Sequence, residues 1–72
     1  MQTYAYKATA TLVSKIGPNY APTDVPFRGK VSGSWNERDA LLHCRLHAKE
    51  YLEDVYSLFE VKKLHVAVQN DF

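Results

Sequence analysis

A chain of 72 residues has room for one domain and one core, and a chain this short buries only about 60% of the surface that it exposes when unfolded. Its formal net charge of +1 excludes a strong overall attraction to nucleic acid or to acidic membrane surfaces. Its single cysteine, Cys44, excludes an intramolecular disulfide, and no apolar run approaches the roughly 18 residues of a membrane span. We expect one small domain over residues 1–72, located in the cytoplasm and without a cofactor, which gains further burial by forming a homodimer.

The first predicted element is a strand over residues 3–13, where the side chains alternate between two faces. The face with the bulkier apolar residues consists of Tyr4, Tyr6, Ala8, Ala10 and Leu12. Residues 16–26 follow, and their three prolines and one glycine interrupt both strand pairing and helix continuation. The sequence therefore predicts a loop that is long for a hairpin. This loop either presents Tyr20 to a partner or packs over one end of the sheet and completes the core.

A second strand is predicted over residues 27–35, again from alternation. Its apolar side carries Phe27, Val31 and Trp35, with Gly29 and Gly33 between them. A glycine inside a strand often marks a place where another group approaches closely. We expect the two glycines to make space for the helix or for the tyrosines of the first strand.

A helix is predicted to follow, because Ser34 and Glu37 have the spacing of a capping box and Asn36 with Asp39 offers a second cap. The helix is expected to continue to Val55. Its sheet-facing stripe is predicted to consist of Leu41, Cys44, Ala48, Tyr51, Leu52 and Val55.

A third strand is predicted where Leu64, Val66 and Val68 alternate with polar residues. Phe59 and Val61 have the opposite parity, so either a turn ends or a bulge occurs at Lys62 and Lys63. A right-handed crossover from the second strand through the helix leaves room for the first strand in the centre. The predicted fold class is α+β: a β-β-α-β chain forming a three-stranded antiparallel sheet of order 2-1-3, with one helix packed on one face.

The sheet face that the helix leaves open is predicted to be basic. It carries no acidic residue in this assignment, and its cations are Lys7, Arg28, Lys30, Lys63 and His65. Such a face suits phosphates, so a nucleic-acid-binding accessory protein that uses Lys7, Arg28, Lys30 and Lys63 is the alternative hypothesis for function. The stacking aromatics of single-strand binders are missing from this face, and lysines on an open sheet also serve solubility.

Catalysis and metal binding are not expected. His43, His47 and Glu50 follow one helical ridge, but this spacing is typical of any solvated helix flank. Cys44 lies in the predicted core stripe, where a buried thiol is inert. We therefore predict no enzyme, no catalytic residue and no metal site.

Surplus apolar residues favour a non-catalytic module that binds another protein and self-associates. Leu42 and Leu46 lie off the predicted stripe, and Tyr56 follows the helix. Together with Tyr20, these residues are the candidate protein-binding site. A homodimer could form through the helix or through the edge of the second or third strand, and Leu46→Glu would dissociate a dimer mediated by the helix.

Overall fold

The computed structural model describes residues 2–16 and 21–69, which form three strands and one helix. In chain order these are β1 (Gln2–Ser14), β2 (Thr23–Gly33), α1 (Glu37–Val55) and β3 (Phe59–Gln69). The strands form one antiparallel sheet in the order β2-β1-β3. The predicted α+β class, the β-β-α-β order and the 2-1-3 arrangement are confirmed.

Strand β2 begins earlier than the sequence predicts. It starts at Thr23, and Pro26 lies opposite Thr9 in the ladder, so the predicted loop over residues 16–26 is too long. A proline can join a strand when that strand is at the edge of a sheet, because its missing N–H is not needed by a neighbour. Pro26 therefore marks an edge strand rather than a loop.

Strand β3 contains the predicted bulge. Thr11 lies opposite Lys63 while Leu12 lies opposite Val61, so Lys62 is an extra residue in the ladder. The inserted residue explains why Phe59 and Val61 have a different parity from Leu64. On both sides of the bulge, apolar side chains therefore point toward the helix side of the sheet.

Small helical side chains pack onto large side chains of the sheet in the core. The buried residues of α1 recur every fourth position and are Ala40, Cys44, Ala48 and Leu52. The sheet contributes the buried rings of Tyr4 and Tyr6 beneath them. The predicted positions of Cys44, Ala48 and Leu52 are confirmed, whereas those of the other three stripe residues are wrong, because Leu41 and Tyr51 are each 38% exposed and Val55 is 54% exposed. Alanine carries a weak hydropathy signal, which is why Ala40 was missed.

The two glycines of β2 accommodate aromatic rings, a first-strand tyrosine at Gly29 as predicted and, at Gly33, a tryptophan that was not predicted. A side-chain carbon on Gly29 would collide with the Tyr6 ring, and one on Gly33 would collide with the Trp35 ring. The Tyr6 ring therefore lies over Gly29, its partner in the ladder. A tyrosine of the first strand is thus the bulky group expected there from the sequence.

The helix begins with a side-chain cap from Asn36. Its Oδ1 accepts a hydrogen bond from the Asp39 N–H at 2.8 Å, so the second of the two predicted caps is the one formed. Tyr4 holds the segment just before the cap, because its hydroxyl donates to the Trp35 carbonyl at 2.8 Å. The start of α1 is thereby tied to the central strand.

Candidate interaction surfaces

Two leucines lie on the outer face of α1. Leu42 and Leu46 are one helical turn apart and are 55% and 57% exposed. They lie on the side of the helix opposite the buried row, so they point away from the sheet. Exposed apolar residues that lie next to one another indicate a contact surface more strongly than isolated ones do. We call these two residues the leucine pair.

Opposite charges flank the leucine pair. Arg45 and Lys49 lie on the flank toward β3, where they line a shallow opening with residues of that strand. Helical spacing puts Asp39 and Glu50 on the other flank, toward β2. An antiparallel pairing of two such helices about a twofold axis would bring like charges together, so the pattern favours a partner of different sequence over a second α1 in that orientation.

The other two predicted protein-binding residues have different outcomes. Tyr56 is half-buried and packs against the core cluster of Ala10, Leu12 and Leu52, so only part of its side chain is accessible to a partner. Its backbone N–H also donates to the Leu52 carbonyl at the end of the helix. Tyr20 lies outside the described residues. The structure does not bring these residues together with the leucine pair.

The two histidines of the ridge contact aromatic side chains, although His47 and Glu50 are exposed as expected of a solvated flank. The His43 ring stacks on the Trp35 indole with their centroids 3.9 Å apart. The His47 Nδ1 and the Tyr6 hydroxyl are hydrogen-bonded at 2.7 Å. Both histidines therefore belong to the packing of α1 on the β2 side. Within residues 2–16 and 21–69, no three His, Cys, Asp or Glu side chains are grouped to hold a metal ion.

Burial favours the protonated form of two side chains in the core. The pKa of Tyr6 is raised, mainly by desolvation and then by the nearby Cys44 and Tyr51. Desolvation also raises the pKa of the Cys44 thiol. A protonated, buried thiol has no use as a nucleophile.

The open face of the sheet carries a cluster of cations at its β2 side. Lys7 lies directly opposite Arg28 in the ladder, and Lys30 follows two residues along the same face. Like charges placed opposite each other destabilise a sheet, and no carboxylate within the described residues forms an ion pair with these three. We call these residues the basic cluster. Lys63 lies on the same face but on the other edge strand, opposite Thr11.

The expectation that this face has no acidic residue is wrong. Asp24 lies opposite Thr11 and accepts a hydrogen bond from its hydroxyl at 2.6 Å. Glu60 lies opposite Val13 and forms an ion pair with Lys62 at 3.2 Å. Both acids were missed because β2 and β3 are longer than predicted. They lie at the end of the face away from Lys30, so the face has a basic end and a mixed end.

A third surface lies between α1 and β3 and was not predicted. It includes an open groove of about 1210 Å³ at the end of the molecule where α1 begins, lined by Leu41, Val66 and Val68 together with the start of β1 and residues 35–37. Farther along the same flank, Phe59 and Val61 are each 39% exposed. Val66 is buried and Leu64 and Val68 pack against the core, so their predicted core positions are confirmed. The alternation of β3 therefore predicts these contacts but not the groove.

Comparisons of the chain with protein-family models, with curated proteins and with solved structures give no significant match. In the described part of the chain, α1 is too polar to cross a membrane. The fold and its surfaces define a small α+β protein with an exposed leucine pair, a basic cluster and an apolar sheet edge. Its function is inferred from these surfaces.

Proposed function

We propose that this protein is a non-catalytic interaction module that binds another protein through the leucine pair and self-associates through a different surface. The observation that carries the proposal is the exposure of Leu42 and Leu46, more than half of each side chain, on the outward face of a helix whose inward face is already packed. Burying such side chains at an interface is favourable by about 25 cal/mol per Å² of apolar area. The proposal assigns the module to the cytoplasm, where an unpaired cysteine is usual.

The surroundings of the leucine pair support recognition of a protein surface. The basic flank of Arg45 and Lys49 and the acidic flank of Asp39 and Glu50 surround an apolar centre. This arrangement of an apolar centre and a charged rim is typical of protein interfaces. The charges would orient the partner and set the association rate, while the leucines would supply most of the affinity.

The experiment is affinity capture from an extract of the source cells, with quantitative mass spectrometry of the bound proteins. The Leu42→Ser/Leu46→Ser variant should capture at least tenfold less of any specific partner than the wild-type protein does, because the two substitutions remove the apolar centre without disturbing the buried row. Glu53→Ser is the matched control on the exposed part of the same helix. Its capture profile should equal that of the wild type.

Two results would contradict the leucine-pair proposal. One is a capture profile that is the same for the wild-type protein and the double serine variant. The other is loss of the same partner from the Glu53→Ser control, which would indicate a general effect of changing the helix. Circular dichroism of each variant establishes that the fold is retained before the profiles are compared.

A second candidate function is nucleic-acid binding through the basic cluster. It is favoured by the uncompensated juxtaposition of Lys7 and Arg28, with Lys30 beside them. Sheet stability alone does not account for two cations directly opposite each other. Lys63 would extend the contact to the other edge of the open face.

The test of the second candidate is a titration with fluorescent single- and double-stranded oligonucleotides at 50 and 200 mM salt. A phosphate-binding face made of three or four cations would lose on the order of tenfold or more in affinity over this range, because neutralised phosphates release counterions. Arg28→Ser/Lys30→Ser should abolish the binding, whereas Lys49→Ser on the helix should leave it unchanged. Affinity that does not depend on salt, or no binding at 50 mM salt, would exclude this function.

A further inference from the structure

We propose that β3 pairs antiparallel with β3 of a second copy of this chain, in the register that places Val66 opposite Val66. The inference rests on the proposed self-association and names its surface. It joins the two sheets into one continuous sheet of six strands, three from each copy. The second copy is then the molecule that covers the apolar surface beside β3.

One hydrogen bond establishes which backbone groups of β3 face outward. The Lys15 N–H donates to the Leu58 carbonyl at 2.9 Å, next to the ladder pair of Ser14 and Phe59. Because backbone groups of antiparallel strands alternate in direction, the odd-numbered residues of β1 bond to β3. Their partners beyond the bulge are Lys63, His65, Ala67 and Gln69. The remaining residues of this stretch, Leu64, Val66 and Val68, direct their N–H and C=O groups to the free edge.

The two edges of the sheet differ in their protection against pairing. By the same alternation, the outward backbone groups of β2 belong to Asp24, Pro26, Arg28, Lys30 and Ser32. Pro26 has no N–H to donate, and charged residues on both sides of it also discourage pairing. On β3, the outward groups belong to three apolar residues without a proline. The bulge at Lys62 limits the regular part of this edge to residues 63–69.

The regular stretch of β3 is self-complementary about its middle residue, Val66. In this register Leu64 pairs with Val68 of the second copy, so every outward N–H and C=O of the three apolar residues has a partner. On the open face, Lys63 pairs with Gln69 and His65 pairs with Ala67. No charged residue opposes another. A register centred on Leu64 would instead oppose Lys63 and His65, and one centred on His65 would oppose the two histidines.

The flank of α1 toward β3 carries the apolar Leu41 near the start of the helix, and the basic Arg45 and Lys49 follow farther along. A twofold axis perpendicular to the sheet puts both helices on the same face, three strand spacings apart, which is about 14 Å. Directly packed helices are about 8–10 Å apart, so side chains must fill the space between them. Leu41 projects into this space beside Val66 and Val68. Pairing of the edges would therefore cover the groove that a single copy leaves open.

The experiment measures the mass in solution by analytical ultracentrifugation over a concentration series. The wild-type protein should sediment with twice its monomer mass of 8.2 kDa. Val68→Pro removes an outward N–H from β3 but none that bonds to β1, and it should weaken the dimer at least tenfold. Val68→Ala makes a comparable loss of packing and keeps the N–H, so it should stay dimeric.

Cysteine cross-linking tests the register without relying on a proline variant. An equimolar mixture of the His65→Cys and Ala67→Cys single variants should form a mixed covalent dimer on mild oxidation, because residues paired without backbone hydrogen bonds have Cα atoms about 4.5 Å apart, within disulfide range. Each single variant alone is the control, since His65→Cys would cross-link to itself in the register centred on His65 and Ala67→Cys in the register centred on Ala67. The native Cys44 is buried and does not interfere.

The outcomes separate this inference from the proposed function. A dimer that survives Val68→Pro and does not cross-link through positions 65 and 67 would overturn the β3 edge while keeping self-association, and Leu46→Glu would then test the helix. Preferential cross-linking of the control would overturn the register. A wild-type protein that is monomeric at several hundred micromolar would overturn self-association itself. Partner capture by the leucine pair is measured separately and does not depend on any of these results.

Discussion

Leu52→Ala is expected to lower the free energy of unfolding by about 3 kcal/mol, within the 2–5 kcal/mol usual for truncating a buried leucine. The Leu52 side chain is 1% exposed and packs with Ala10 and Leu12 in the part of the core farthest from the start of the helix. The atoms that alanine lacks relative to leucine leave a cavity, and the neighbouring strands cannot fill this cavity without moving. The measurement is urea unfolding followed by Trp35 fluorescence and circular dichroism at one fixed protein concentration.

The size of this effect matters because the chain is small. A protein of 72 residues has a total stability of roughly 4–11 kcal/mol at the usual value per residue. Leu46→Ala is the matched control, because it makes the same truncation on the exposed side of the same helix. It should change the free energy of unfolding by less than about 0.5 kcal/mol. Equal effects of the two substitutions would contradict the assigned burial of α1.

Gly29→Ala is the second substitution with a large expected effect, a loss of about 2 kcal/mol or more in the free energy of unfolding. The added methyl group would collide with the Tyr6 ring. That ring cannot move easily, since the side chain is buried, lies against Phe27 and is hydrogen-bonded to His47. Overpacking of a fixed ring forces either the strand or the ring out of place.

Gly33→Ala provides the comparison for Gly29→Ala. It creates a similar collision, but with the ring of Trp35, which is only half-buried and lies near the end of β2. Trp35 can shift toward solvent at the expense of its stacking on His43. We expect a smaller loss of stability than for Gly29→Ala in the same urea experiment. A larger loss at Gly33 would show that the Trp35 ring is held more firmly than the Tyr6 ring.

These substitutions concern the side of the molecule where aromatic side chains join the helix to the sheet. Toward β2, three aromatic pairs join the helix to the sheet: Trp35 with His43, Tyr6 with His47, and Phe27 with Tyr51. Toward β3, the helix offers Leu41, Arg45 and Lys49 instead, and the groove remains open. The two sides of the helix therefore differ in the chemistry of their contacts, which are aromatic toward β2 and aliphatic and basic toward β3. The proposed self-association uses the β3 side.

Local sequence patterns determined the architecture of this protein. Alternation identified β1 and the parity change in β3, and the Asn36 cap identified the start of α1, because each depends only on residues close in the chain. The handedness of the crossover then predicted the strand order. The leucine pair could also be predicted, since residues off the buried stripe of a helix point outward whatever lies beneath.

Only the tertiary structure decided which surfaces are free. The buried row of α1 is Ala40, Cys44, Ala48 and Leu52 because small residues let the helix approach the large rings of Tyr4 and Tyr6, and hydropathy does not record that complementarity. The same packing turns His43 and His47 toward the sheet. Whether the apolar side chains of a strand are buried depends on how far the helix above them extends across the sheet. The exposed flank of β3 is thus a property of the packing of all four elements.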